Sequence, residues 1–190
     1  MIRNIIFDIG NVLVNYRPWE YLEERYSPED ADFLLPAVFG SQEWVELDSG
    51  TISEEEAVAR MVARNPEREA ILRAVMGDIT TLFTPIESSI AVLKQLKQAG
   101  YRILYLSNIS HGILEFIRTA YDFLDFCDGG VASAEIRQLK PDAQIYLHLI
   151  EQYAVRPVES LFIDDTERNI MAAGELGFRT IHLTDPSGLP

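Results

Sequence analysis

One cysteine, Cys127, stands among 190 residues. No disulfide can close within the chain, and a reducing cytoplasm is the expected setting. Cys127 reads as a small core residue beside a strand rather than a catalytic thiol. Positive charge is also scarce: 16 lysines and arginines face 30 aspartates and glutamates, for a formal net charge of −14. With no basic stripe to neutralise phosphates, nucleic acid is excluded as an expected partner. No apolar run approaches the roughly 20 residues that a membrane helix needs. The N-terminus lacks a basic region followed by a long apolar one, so no secretory signal is expected. Together these absences predict a soluble cytoplasmic protein with no membrane partner. Repeats and low-complexity tracts are missing too. What remains is a chain 47% hydrophobic and 10% aromatic, ample for a packed core and suited to one domain, or one domain with a smaller insert.

Taken in order, the chain alternates strand and helix around one interruption. Ile5-Ile6-Phe7 is an apolar run of buried-strand length that ends in Asp8, with Gly10 marking a turn. From Tyr16 to Thr84 there are 15 acidic and 6 basic residues, and the pattern is helical throughout. Ser27 caps a helix with Pro28 in its first turn. Ser53 followed by Glu54-Glu55-Glu56 has capping-box spacing, and Asn65-Pro66 breaks that helix. Gly50 marks a turn between helices of this segment, and Trp19 and Trp44 are expected to pack in its core. Beyond Pro85, the helical stretches are Ile86–Ala99, Ser110–Tyr121, Asp142–Tyr153 and Thr166–Leu176. They alternate with strands at Arg102–Ser107, a short one at Gly129–Ala132, Leu161–Ile163 and Thr180–Leu183. The predicted fold class is α/β: a doubly wound parallel sheet, a Rossmann-like core, with an inserted all-helical cap. The core is assigned to residues 1–15 and 85–190 and the cap to residues 16–84, an all-helical segment of a size that suits a lid.

Three buried strands end in polar residues: Asp8, Ser107 and the pair Asp164-Asp165. In an open parallel sheet the carboxyl ends of the strands face one crevice, so these side chains converge. Three carboxylates around a point repel unless a cation lies among them, and hard oxygen ligands favour Mg²⁺. One acid of the pair could simply cap the helix that begins near Thr166, but two adjacent acids after a fully apolar strand ask for more. Lys140, before Pro141, would neutralise a phosphate held beside such a pocket. Ser107 and the backbone N–H of Asn108, at a helix start, could hold phosphate oxygens.

Phe7-Asp8-Ile9-Gly10-Asn11-Val12, Leu106-Ser107-Asn108, Leu139-Lys140-Pro141 and Phe162-Ile163-Asp164-Asp165 resemble, in order, the four motifs of the haloacid dehalogenase-like hydrolase superfamily. The resemblance covers essentially the whole chain. Gly10-Asn11-Val12 with Ser107-Asn108 is similar to a bacterial branch that includes glucose-1-phosphate phosphatases. It implies that Asp8 attacks phosphorus to form an aspartyl-phosphate, and that Asp8, the Gly10 carbonyl, Asp164 and Asp165 hold Mg²⁺, one of the paired acids through water. By the same resemblance Ser107, Asn108 and Lys140 grip the phosphoryl group of a small phosphorylated metabolite, with a sugar phosphate first among the candidates.

One departure stands out. Most phosphatases of the superfamily carry a second aspartate two residues after the nucleophile, as general acid for the leaving group; here that position is Gly10. General acid catalysis contributes typically about 10²–10⁴-fold, so three alternatives stay open. The leaving group is good enough to depart alone, or water or another side chain such as His111 or Asp48 supplies the proton, or the protein is not a phosphatase. Dehalogenases of the superfamily also lack that acid, which makes metal-independent 2-haloacid dehalogenation the alternative activity, and a silent binding module the alternative without one. His111, His148 and His182 otherwise read as surface or structural residues. Tyr16, Arg17, Trp19, Trp44 and Asp48 are the cap residues expected to set substrate choice. The acidic cap predicts a substrate whose non-phosphate part is neutral.

Overall fold

The computed structural model describes residues 1–185. Its centre is a five-stranded, all-parallel sheet in the order β3-β2-β1-β4-β5, built from β1 (Asn4–Phe7), β2 (Arg102–Ser107), β3 (Gly130–Ala132), β4 (Ser160–Asp164) and β5 (Arg179–His182). The chain winds outward from β1 through β2 to β3, then crosses back to lay β4 on the other side of β1. The strand order therefore reverses between β1 and β4, where an open parallel sheet leaves a crevice at its carboxyl edge.

Register puts the polar ends level. Phe7 lies opposite both Tyr105 and Ile163, so the residue after Phe7 falls beside the end of β4. The Asp8 amide extends the ladder by one bond, donating to the Ile163 carbonyl at 2.9 Å. Both faces of β1 are covered, which is why Ile5, Ile6 and Phe7 run apolar without alternation. Ile5 and Phe7 join one hydrophobic cluster, while Ile6 joins a second with Leu104, Phe162 and Tyr146.

Residues 18–82 contain helices and turns and no strand of the sheet. The caps read from the sequence form here: Ser27 and Ser53 accept from the amides of Asp30 and Glu56, and Ser41 does the same for Trp44. Each is worth about 1 kcal/mol. Leu22, Leu34, Met61 and Leu72 are fully buried and belong to the same cluster as Phe7, so the helical segment and one face of the sheet share a continuous apolar interior. Short bridges pair Val14 with Gly10 and with Pro85 where the chain leaves the sheet and returns. Cys127 is partly buried against this cluster, and burial pushes its thiol up to about 12, in keeping with a core role. Trp19 departs from expectation. It is 37% exposed, because the helix Pro18–Arg25 buries its Tyr21-Leu22 side and leaves Trp19 on the flank.

Candidate active site

A cleft of about 290 Å³ lies at the carboxyl edge of the sheet, over the β1/β4 switch point. Asp8, Gly10, Asn11, Ser107, Asn108, Lys140 and Asp165 line its floor, and Tyr16, Trp44, Asp48 and Phe83 close it from the helical side. The residues singled out in four separate stretches of sequence thus meet.

Lys140 is the pivot. Its side chain is 1% exposed, and its Nζ lies 2.8 Å from Asp8 Oδ1 and 2.6 Å from Asp164 Oδ2. Burial alone would expel a proton, but the two carboxylates outweigh it and hold the ammonium above the ordinary lysine range. Burial pushes Asp8 up from the ordinary carboxylate range and Asp164 adds repulsion, while Lys140 and the neighbouring Ser107 hydroxyl pull it down. The Ile9 amide also donates to Asp8 Oδ1 at 2.7 Å.

The paired acids do different work. Both oxygens of Asp164 are engaged: Oδ1 accepts from the Thr166 amide at 2.8 Å and from Asn169 Nδ2 at 3.0 Å, and Oδ2 from Lys140. Asp164 is 0% exposed and does not line the cleft. Asp165 does, and the Asn11 side-chain amide orients it with a 3.0 Å bond to Oδ2. Oxygens of Asp8, Asp164 and Asp165 all lie within 4.8 Å of one another. Three carboxylates and one ammonium leave two negative charges uncompensated, and every donor is a hard oxygen, so the residues fit a divalent cation such as Mg²⁺.

The Asn108 side chain is turned to the lysine loop. It donates to the Lys140 carbonyl at 2.9 Å and accepts from the Lys140 amide at 2.7 Å. That side chain clamps the lysine loop, leaving only its backbone N–H for a substrate. His111 is exposed and lines a different groove, with Leu47, Ile52 and Glu54, so it does not reach the floor of the cleft. Three contributors escaped the sequence reading. Asn169 falls one turn into the helix after Asp164. Asn11 takes a left-handed backbone at φ 51°, and Arg168 adds an exposed cation at the cleft. Asn11 beside Gly10 was the one local signal, since asparagine tolerates that conformation.

The roof is aromatic. Tyr16 stacks between Trp44 and Phe83, with ring centroids 6.1 and 5.6 Å away. Trp44 and Asp48 are four residues apart on the helix Gln42–Asp48, which turns them to the same side.

Residues 2–177 match the haloacid dehalogenase-like hydrolase family. The chain belongs to that family. It is 27% identical over 180 residues to a sesquiterpene phosphatase of Aspergillus oryzae, covering 95% of this chain and 89% of the relative. To a D-ribitol-5-phosphate phosphatase of Bacteroides thetaiotaomicron it is 27% identical over 191 residues, covering 95% and 91%. A haloacid dehalogenase-family enzyme of the same bacterium, solved with magnesium and inorganic phosphate, superposes with a TM-score of 0.76 at 21% identity, covering 100% of this chain and 97% of the other. At that identity the likeness concerns the fold. Among the described residues no helix is long and apolar enough to cross a membrane.

Proposed function

We propose that this hydrolase is a Mg²⁺-dependent phosphomonoesterase that works through an aspartyl-phosphate on Asp8. The observation that carries the reading is the convergence of Asp8, Asp164 and Asp165, with their oxygens within 4.8 Å of one another, and the buried Lys140 ammonium between the first two. Phosphatases among the relatives, matched over 95% of the chain, support it.

In this reading Asp8 attacks phosphorus in line, the ester P–O bond breaks, and water then releases phosphate from Asp8. Lys140 steadies the phosphoryl oxygens, and the Ser107 hydroxyl with the Asn108 backbone N–H donates to them. Asp8, the Gly10 carbonyl and Asp165 would hold the ion. Asp164, bonded to Thr166, Asn169 and Lys140, anchors the lysine and would complete the acidic group around the ion. When bound there, Mg²⁺ supplies charge neutralisation for the transferring group. Residues 16–84 serve as the cap, over a core of residues 1–15 and 85–190. The substrate is a small metabolite with an uncharged organic part, a sugar phosphate first, because the roof offers stacked rings and the cap carries excess acid.

The test is phosphate release from a panel of phosphomonoesters, with Mg²⁺ or with a chelator, beside Asp8→Asn. Metal-dependent release that drops by more than about 10⁴-fold in the variant is expected. Halide release from a 2-haloacid without metal would assign the dehalogenase chemistry instead. Neither activity would leave a binding module.

A further inference from the structure

The carboxyl of Asp48 is the one acid facing the cleft that nothing holds. Asp8 is held through Oδ1 by Lys140 and Ile9, and Asp165 through both oxygens by Asn11 and Thr166. Among the described residues no hydrogen bond engages the Asp48 side chain, and none joins it to the acidic triad. Its backbone, by contrast, is fastened. The buried Ser133 hydroxyl donates to the Asp48 carbonyl, and Ser133 Oγ accepts in turn from the Ile109 amide at 2.9 Å, two residues beyond Ser107. Two residues on, Gly50 turns with φ +64° so close to the core that a Cβ there would stand 2.3 Å from the Ala134 carbonyl oxygen. The end of the helix Gln42–Asp48 is therefore seated on the core beside the phosphoryl-binding strand end. Trp44 and the stacked Tyr16 fix the same face. A side chain placed this firmly and left unbonded is poised for something not yet present.

We infer that Asp48, reaching in from the cap, is the general acid that the Gly10 position lacks. The inference rests on the phosphatase reading. As Asp8 forms its bond to phosphorus and the ester P–O bond breaks, the departing oxygen takes the proton from Asp48, giving a free alcohol, aspartyl-phosphate and the Asp48 carboxylate. In the second step that carboxylate accepts a proton from the attacking water. The P–O bond to Asp8 breaks, phosphate leaves, and both side chains return to their starting states. Burial and the charge of Asp8 push Asp48 up to about 7 against the pull of Lys140, in keeping with a group that gives and takes a proton near neutrality.

The experiment is a comparison of leaving groups, read as kcat/KM so that only steps through phosphoenzyme formation count. Wild type, Asp48→Asn and Asp48→Glu are assayed with p-nitrophenyl phosphate, whose phenolate leaves unaided, and with the best alkyl phosphate of the panel. Thermal unfolding of each variant checks the fold. For Asp48→Asn a loss of about 10²–10⁴-fold is expected on the alkyl ester and less than about tenfold on the aryl ester, with partial recovery in Asp48→Glu. Equal losses on the two esters, or no loss on the alkyl ester, would overturn the assignment and leave the phosphatase reading standing. A wild type that releases phosphate from neither ester would overturn both.

Discussion

The floor of the cleft comes from strand ends and its roof from the helical segment, and the two treat charge in opposite ways. On the floor Lys140 has a carboxylate on either side, Asp164 is filled with donors, and Asn108 clasps the lysine's main chain. In the roof ionic pairs such as Glu43 with Arg64 and Glu46 with Arg60 lie outside the cleft, and Asp48, which faces inward, has no side-chain hydrogen bond among the described residues. Parallel-sheet register holds the floor, so a shift of one residue would turn its side chains to the other face. A few close approaches around Ser133 and Gly50, together with packed rings, hold the roof. On the proposed reading, binding and nucleophilic attack fall to the strand-end floor, and discrimination among substrates to the helical roof.

The contrast can be broken from either side. Lys140→Met should act most strongly, because it leaves buried carboxylates facing one another. A loss of about 3–5 kcal/mol in chemical denaturation is expected, along with a fall in kcat/KM of at least about 10²-fold. The stability loss should be smaller at pH 5 than at pH 8, since protonating one carboxyl removes the uncompensated charge. A variant as stable as wild type at pH 8 would mean that the floor is not held by charge. Next in size is Gly50→Ala, which forces a left-handed residue with a Cβ against the Ala134 backbone. It should cost about 2 kcal/mol in thermal unfolding, and an unchanged Tm would show that the roof is not seated on the core as described.

The smallest effect has the opposite sign. Asp48 sits at about 7 in the folded protein, above its unfolded value of about 3.9. Between those values the Asp48 carboxyl binds more protons in the native state than in the unfolded chain, so its contribution to stability declines as pH rises from 4 to 7. Asparagine does not titrate. Asp48→Asn should therefore be more stable than wild type at pH 8 in metal-free buffer, by on the order of 1–2 kcal/mol for a partly exposed group. The gain should shrink toward zero near pH 4. Denaturation at both pH values checks it, and a variant less stable at pH 8 would show that the carboxylate is bonded after all.

Much of the floor was legible because its elements are local. Ile5-Ile6-Phe7 and Leu161-Phe162-Ile163 declare buried strands by composition, and a polar residue at the end of each points to one edge once the strands are parallel. The capped helices were equally plain, since Ser27 and Ser53 bond within three residues of themselves. Relations between distant residues were less so. That Asn108 would spend its amide on Lys140, 32 positions away, or that Trp19 would lie outside while Trp44 lines the cleft, follows from how helices settle on the sheet. Strand periodicity does not encode either.

Taken alone, the order of residues determined the parallel sheet, the helical insertion and the meeting of Asp8, Ser107 and the Asp164-Asp165 pair, because hydrophobic period and chain direction leave few other arrangements. Lys140 joined them through the resemblance of its motif to the family's. Only tertiary packing decided how those groups divide their tasks: which acid anchors the lysine, which faces the cleft, and which of His111 and Asp48 overhangs it. The reason is that a hydrogen-bond partner or an electrostatic environment is supplied by atoms from elsewhere in the chain, at distances that local sequence does not specify.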